Sequence, residues 1–235
     1  MYARSVESEE LSFGVSGMLW RDNLVMYDRQ TDSWWAQADG RAIRGPKRGK
    51  QLEPVASEMM TWKQWRTLHP GTRVLTTGKV REGRDAYASY HRSRDIGVTG
   101  RTRRGGVLDP KQLVVGFQSG RGAFAVPLDA VGRAGVLHLS ADDQPLIVVT
   151  VADQSTAKVF VAGKDTFESA GERDGRVLLR DKATGSIWDG YDGRAVSGPR
   201  TNEQLGPVTA HVSYWFSWYS FFPQTTVLGT GEPRR

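Results

Sequence analysis

Residues 28–45 read DRQTDSWWAQADGRAIRG, and residues 181–198 read DKATGSIWDGYDGRAVSG. The same offset of 153 runs without a gap from Asp28–Gly78 to Asp181–Gly231 and gives 22 identities in 51 positions. Chance does not produce that density, because the matches favour rare and rigid residues: Trp35/Trp188, Trp62/Trp215, Trp65/Trp218, Gly45/Gly198, Pro46/Pro199 and Pro70/Pro223. Shifted by one residue, Phe13 matches Phe167 and Gly17 matches Gly171. A period of this kind indicates an internal duplication, too long and too few in copy for a solenoid.

Each unit carries the same local signals. Leu24–Asp28 and Val177–Asp181 read as strands, followed by polar turns and a second strand bearing Trp35 or Trp188. Asp39-Gly40 and Asp192-Gly193 are expected to be two-residue hairpin turns, because glycine accepts positive φ at little cost. Leu52–Val55 and Leu205–Val208 predict short strands ended by their prolines. Thr61 with Gln64 three residues later forms a capping box, and Pro70 ends the helix it opens. In the second copy His211, Trp215, Trp218 and Phe222 fall at helical spacing on one face. Val74-Leu75 and Val227-Leu228 then begin a closing strand.

The stretch 113–161 adds five β-type runs: Leu113–Phe117, Ala123–Pro127, Val136–Leu139, Leu146–Val151 and Lys158–Val161. These runs have no counterpart before Met1, so the first unit is expected to be short at its N-terminal side. The expected organisation is a first repeat unit over 1–78, a connecting strap over 79–112 and a second unit over 113–235. The fold class is α+β and β-rich: two pseudo-symmetric lobes, each with short strands, hairpins and one aromatic-bearing helix.

Composition limits the function. The 235 residues carry 32 Lys and Arg against 26 Asp and Glu, a net charge of +6. Apolar residues make up 38% and include eight Trp; each buried aromatic ring contributes about 150–250 Å² to a core, so disorder is excluded. No cysteine is present, which removes disulfides, thiolate metal sites and cysteine nucleophiles together. The longest apolar run, Leu146–Val151, falls far short of the roughly 20 residues that span a bilayer. Residues 1–10 show no signal peptide, which makes the cytoplasm the default compartment; a leader upstream of Met1 would make the protein extracytoplasmic.

Several longer motifs resemble one family. Phe13-Gly14-Val15-Ser16-Gly17 is followed by Asn23-Leu24-Val25-Met26-Tyr27-Asp28-Arg29 and by Ser33-x-Trp35-x-Gln37. Later come Ser213-x-Trp215-Phe216-x-Trp218-x-x-Phe221-Phe222-Pro223 and the Val115-Gly116-Phe117 centre of Lys111–Pro127. Together they resemble the DUF3179 family over nearly the whole chain. The resemblance implies no activity, because that family has none established. Its members usually carry a Cys-Pro-x-Cys element in the strand region before the position of Tyr2, often behind a secretory or lipoprotein leader. This chain has neither, and the matching stretch of the second unit, Ala152–Ala157, has no cysteine.

Reactive constellations are few. None of His69, His91, His138 and His211 has another histidine within four residues, so no metal site and no cofactor is expected. His211 stands where the first unit has Glu58, and the pair is the candidate catalytic constellation should the units meet across a pseudo-two-fold axis; capping or an ordinary polar contact is the simpler account. Gly14–Gly17 lacks Gly-x-Ser-x-Gly spacing and reads as a tight β-turn. No phosphate-binding loop is present. Arg81, Arg84, Arg92, Arg94, Arg101, Arg103 and Arg104, interleaved with Tyr87 and Tyr90, are diluted by four acids, which argues against nucleic acid. Asp28, Asp181, Arg41 and Arg194 are candidate binding residues, with turn formation as their structural alternative.

Two functions fit these residues. One is a non-enzymatic protein that binds a ligand or a protein partner. The other is a metal-dependent or hydrolytic enzyme with its site between the lobes, using His211 and Glu58. Shared residues report architecture first, so positions at which the copies differ are the better place to look for activity.

Overall fold

The computed structural model describes residues 1–75, 87–99, 102, 105–120 and 122–230. A small hairpin opens the chain, β1 (Ser5–Val6) and β2 (Glu9–Glu10), turning on Glu7 and Ser8 at positive φ. β3 (Phe13–Trp20), β4 (Asn23–Asp28), β5 (Trp34–Ala36) and β6 (Ala42–Arg44) then form an antiparallel meander. α1 (Trp62–Leu68) follows, with Thr61 Oγ1 accepting from Gln64 N–H at 3.1 Å, the cap its sequence predicts. Within 79–112 the described residues include a short helix, α2 (Ala88–Arg92).

The next strands are β7 (Leu113–Ser119) and β8 (Gly122–Pro127), then α3 (Leu128–Ala134), β9 (Val136–Ala141), β10 (Gln144–Thr150) and β11 (Ala157–Val161). A second meander comprises β12 (Phe167–Arg173), β13 (Arg176–Asp181), β14 (Ile187–Asp189) and β15 (Ala195–Ser197). The chain closes with β16 (Gly206–Val208), β17 (Ala210–Tyr214), α4 (Trp215–Phe221) and β18 (Thr226–Val227). β16 joins β11, β10 and β9 in one sheet, while β17 and β18 flank β7 and β8 in another.

β10 explains the layering. Its apolar run does not alternate with polar residues because both faces are covered. Leu146 and Val148 pack with Val115, Phe117 and Val126 of the β7–β8 sheet, whereas Ile147 and Val149 pack with Phe167, Leu179 and Trp188 of the second meander. The β9–β11 sheet is therefore the middle of three layers.

The two meanders carry the same register. Val25 faces Ala36 and Trp35 faces Ala42 in the first; Leu178 faces Asp189 and Trp188 faces Ala195 in the second. Two-residue turns with positive φ connect the opening hairpins, Arg21-Asp22 and Asp174-Gly175. Each helix leans on the hairpin tip of the other meander. Gln64 of α1 donates to the Gly175 carbonyl at 2.8 Å, and Arg21 donates to the Ser220 carbonyl of α4 at 2.6 Å.

Several local expectations change. Gly14–Gly17 is no turn: it lies inside β3, where the register slips between Val15 and Leu19 and Gly17 supplies the positive φ of a bulge. The connections after β5 and β14 span five residues, with only Gly40 (φ 71°) and Gly193 (φ 70°) left-handed, so they are not two-residue hairpins. Pro207 sits within β16 rather than ending it, which an edge strand tolerates. His211 belongs to β17, not to the helical face of Trp215 and Trp218. Val227 pairs in parallel with β8, but Val74 and Leu75 form no strand. Arg81, Arg84, Arg101, Arg103 and Arg104 lie outside the described residues.

Candidate functional site

Asp28 and Asp181 are the anchors that fix each meander. Thr31 N–H donates to Asp28 Oδ1 at 2.6 Å and Trp35 Nε1–H to Oδ2 at 2.8 Å. The second meander has the same set, from Thr184 N–H at 2.6 Å and Trp188 Nε1–H at 2.9 Å onto Asp181. Burial pulls both carboxyls up, yet the indole and turn donors outweigh it and hold them below the usual carboxylate range. Neither residue reaches solvent. These anchors place the loops after β5 and β14, Gln37–Arg41 and Gly190–Arg194, over the helices of the opposite half.

At one of these two junctions the space is filled. Tyr191, from the loop after β14, donates its phenol proton to Glu58 Oε2 at 2.7 Å and lies 3.1 Å from His69 Nε2. Lys158 pairs with the other oxygen of Glu58. Arg176 spans Asp189 and Asp192 at 2.6 and 2.7 Å, with its guanidinium 5.6 Å from the centre of the Tyr191 ring. Burial raises the Glu58 carboxyl, but donation from Lys158 and Tyr191 wins and lowers it. The Tyr191 phenol is pushed up by burial and by the Glu58 charge.

At the other junction the corresponding residues, 153 positions away, are different. Ala38 stands for Tyr191, His211 for Glu58, Phe222 for His69 and Asn23 for Arg176. The supporting frame is unchanged: Trp218 Nε1–H donates to Thr225 Oγ1 at 2.8 Å as Trp65 does to Thr72 at 2.9 Å, and Trp218 packs on Phe222 at 4.4 Å as Trp65 packs on His69 at 4.2 Å. With alanine in place of a phenol, a cleft of about 290 Å³ opens. Ala38, Asn23, His211, Ser213, Trp218 and Phe222 are among its walls.

Asn23 and Ser213 line the cleft, but Asn23 Oδ1 and Ser213 Oγ are themselves closed off from solvent and have no hydrogen-bond partner among the described residues. His211 pairs through its backbone with Gly116, and its ring lies 5.2 Å from Trp218. The imidazole keeps an exposed edge, while the protein mass around the cleft, and then the Met1 ammonium, push its pKa down.

A second recess of about 670 Å³ continues the cleft past Asp39, Arg41, Gln51 and Gln118. Arg41 sits 3.4 Å from Asp39, whose carboxyl burial raises against the pull of Arg41. Tyr2 donates to the Ala38 carbonyl at 2.9 Å, and burial with the Asp39 charge pushes its phenol up to about 12.

Of the residues singled out from sequence, His211 and Arg41 thus share the walls of one continuous depression. Glu58 faces the opposite junction, and no hydrogen bond or ion pair joins it to His211 among the described residues. Arg194 is exposed on the surface, bridged through its backbone to Gln204. Tyr191, Ala38, Asn23 and Ser213 escape a motif search, because the signal lies in the difference between matched positions. Among the described residues no three His, Asp or Glu side chains gather as a metal would require, and no helix is long and apolar enough to cross a membrane. A family model described as a protein of unknown function, DUF3179, matches residues 1–225. No curated protein and no solved structure matches the chain.

Proposed function

We propose, for a chain that belongs to the DUF3179 family, a non-enzymatic ligand-binding role on a duplicated β-rich module, with the Ala38–His211 cleft as the binding site. Duplication is supported by the paired registers and by the matched Asp–Thr–Trp hydrogen bonds of the two meanders. On this reading one junction became a permanent polar seal through Tyr191, and its twin kept room for a guest. The observation that carries the reading is the cleft of about 290 Å³ beside Ala38, at the position whose counterpart holds Tyr191 against Glu58.

The test is to rebuild the seal. Ala38→Tyr places a phenol where Tyr191 has one and closes the cleft. Ligand-observed NMR against a fragment library is expected to find binders of the native chain that the variant releases, while the variant gains thermal stability. Equal binding by both chains would remove the cleft as the site.

A second reading is a hydrolytic or metal-dependent enzyme. The Lys158–Glu58–Tyr191–His69 chain favours it, since an aligned acid, phenol and imidazole are the groups that move protons. Zinc, iron or copper at one equivalent per chain, lost on His211→Ala, would support a metal enzyme in place of a binding protein.

A further inference from the structure

We infer that the exposed face of α1 is a docking surface for a partner protein, which lays an acidic stretch of polypeptide along Trp62, Lys63 and Arg66. None of these residues lines the cleft, so the inference stands apart from the small-molecule reading. Its first support is a difference between indoles at matched positions. Trp35, Trp188, Trp65, Trp218 and Trp215 each donate the indole N–H to a protein acceptor. Trp62, 153 positions before Trp215, donates to none among the described residues. It is 51% exposed, against 1% for Trp215.

The second support is what covers Trp215. Its N–H meets the Gly105 carbonyl at 3.1 Å. Gly106 lies so close that a Cβ there would run into the ring, and Leu108 packs against the same cluster. On that side the cover is a stretch of backbone, and it gives the indole a carbonyl. At α1 the corresponding groove, formed by Trp62, Lys63, Arg66, Thr67 and Pro70, is open; it measures about 380 Å³ and each of these residues is exposed.

Charge sets the chemistry of the occupant. From Met59 to Leu75 the chain carries Lys63, Arg66 and Arg73 and no acid, whereas the matched stretch 212–228 has no charged residue. Lys63 and Arg66 stand where α4 has Phe216 and Tyr219. Neither cation makes an ion pair among the described residues. Asp153 feels the Lys63 charge but is taken up by Thr61 and Ser155. Carboxylates of an incoming chain would pair with both cations and set its orientation. The spacing suits such a chain. Trp62 and Arg66 are one helical turn apart, about 6 Å between Cβ atoms, and two residues of extended backbone cover about 6.5 Å. One polypeptide thus brings a carbonyl to the indole and a carboxylate to the guanidinium. A nucleic acid or a lipid surface offers anions without the backbone carbonyl that Trp215 uses.

The probe for the full chain is the peptide acetyl-EGGVLDE-amide, patterned on Gly105–Asp109 with added glutamates; acetyl-QGGVLNQ-amide is its neutral comparator. Indole N–H signals are followed by NMR, that of Trp62 being assigned by its loss in Trp62→Phe. The acidic peptide is expected to move the Trp62 signal saturably and to bind about fivefold more tightly than the neutral one, the difference that two exposed ion pairs make. Lys63→Gln with Arg66→Gln, both on the surface, is expected to bring the acidic peptide down to the neutral level. Trp62→Phe keeps a ring but removes the donor and is expected to weaken binding as well. Ala38→Tyr is expected to bind the peptide as the native chain does; loss of binding in that variant would place the peptide in the cleft and overturn the inference. A Trp62 signal unmoved by the acidic peptide, or equal affinity for both peptides, would also overturn it and leave the cleft to its own test. A Trp62 signal moved by phosphatidylglycerol vesicles or by oligothymidylate but not by the peptide would replace the protein partner with a lipid surface or a nucleic acid.

Discussion

The indole N–H of Trp35 donates to Asp28 Oδ2 across 2.8 Å with both residues excluded from solvent. A charge-assisted bond in that setting is among the stronger local ties a sheet can have, since loss of the donor leaves a buried carboxylate short of a partner. Trp35→Phe is expected to cost about 1–3 kcal/mol beyond its loss of packing, and Trp188→Phe a similar amount, because the geometry repeats. Urea unfolding of the two variants checks this, and a large inequality would show that the two anchors are not equivalent.

The same carboxylates predict acid sensitivity. Both Asp28 and Asp181 sit below their ordinary pKa, so the folded chain binds fewer protons than the unfolded one. Their contribution is complete above about pH 4 and drains away as pH falls through the folded pKa. Asp28→Asn is expected to be less stable than the native chain at pH 7 and to lose less on acidification. Urea midpoints at pH 7 and pH 3 measure it.

Alkaline pH acts through phenols. Tyr2 is pushed up to about 12 and Tyr191 is also raised, each by burial first. A raised phenol pKa stabilises fully below the unfolded value of about 10 and loses that contribution as pH rises through the folded one. Stability is therefore expected to fall from pH 10 towards 12, and Tyr2→Phe to fall less steeply. Absorbance at 295 nm follows the ionisation, and a normal titration of every tyrosine would refute the assignment.

Two glycines at matched positions should differ in tolerance. A Cβ on Gly193 would lie 2.6 Å from the Phe160 ring, and one on Gly40 would lie 2.6 Å from the Tyr2 ring. Both residues also hold positive φ, which costs a non-glycine residue about 1–2 kcal/mol. Phe160 is locked in the middle sheet, whereas Tyr2 is half-buried beside the cleft and can give way. Gly193→Ala is expected to destabilise more than Gly40→Ala by about 1 kcal/mol or more, read from paired thermal melts.

Thr225 and Thr72 make a parallel comparison. Each accepts an indole proton, from Trp218 and Trp65, but Trp218 is buried and Trp65 is partly exposed. Thr225→Val is expected to cost about 1–3 kcal/mol and Thr72→Val less, since water can replace the lost acceptor at Trp65.

What could be read from the sequence follows from where the physics is local. The Thr61 cap, the strands ending at Asp28 and Asp181 and the apolar runs of β7 to β11 depend on neighbours a few residues away and are legible. α3 is not: Leu128–Ala134 includes Gly132 and β-branched Val131, poor helix formers, and is held by burying Leu128, Ala130 and Val131 against the core. His211 shows the opposite error. Its spacing to Trp215 suits a helix, but pairing with Gly116 across 95 residues of chain draws it into a strand. The candidate site was legible only in part. His211 and Arg41 stand out as residues, whereas the cleft between them is created by what Ala38 lacks, and an absent phenol has no motif.

The reciprocal leaning of the two helices has a mechanical consequence. Helix α1 is encoded early in the chain but is tied down by later residues: its cap Thr61 meets Asp153 and Ser155, and Gln64 meets Gly175. Helix α4 is in turn clipped by Arg21. Neither terminal portion owns all the contacts that keep it folded. A single proteolytic nick between Leu75 and Gly105 would therefore leave two fragments that remain associated and melt together, and that reassemble only with each other's help.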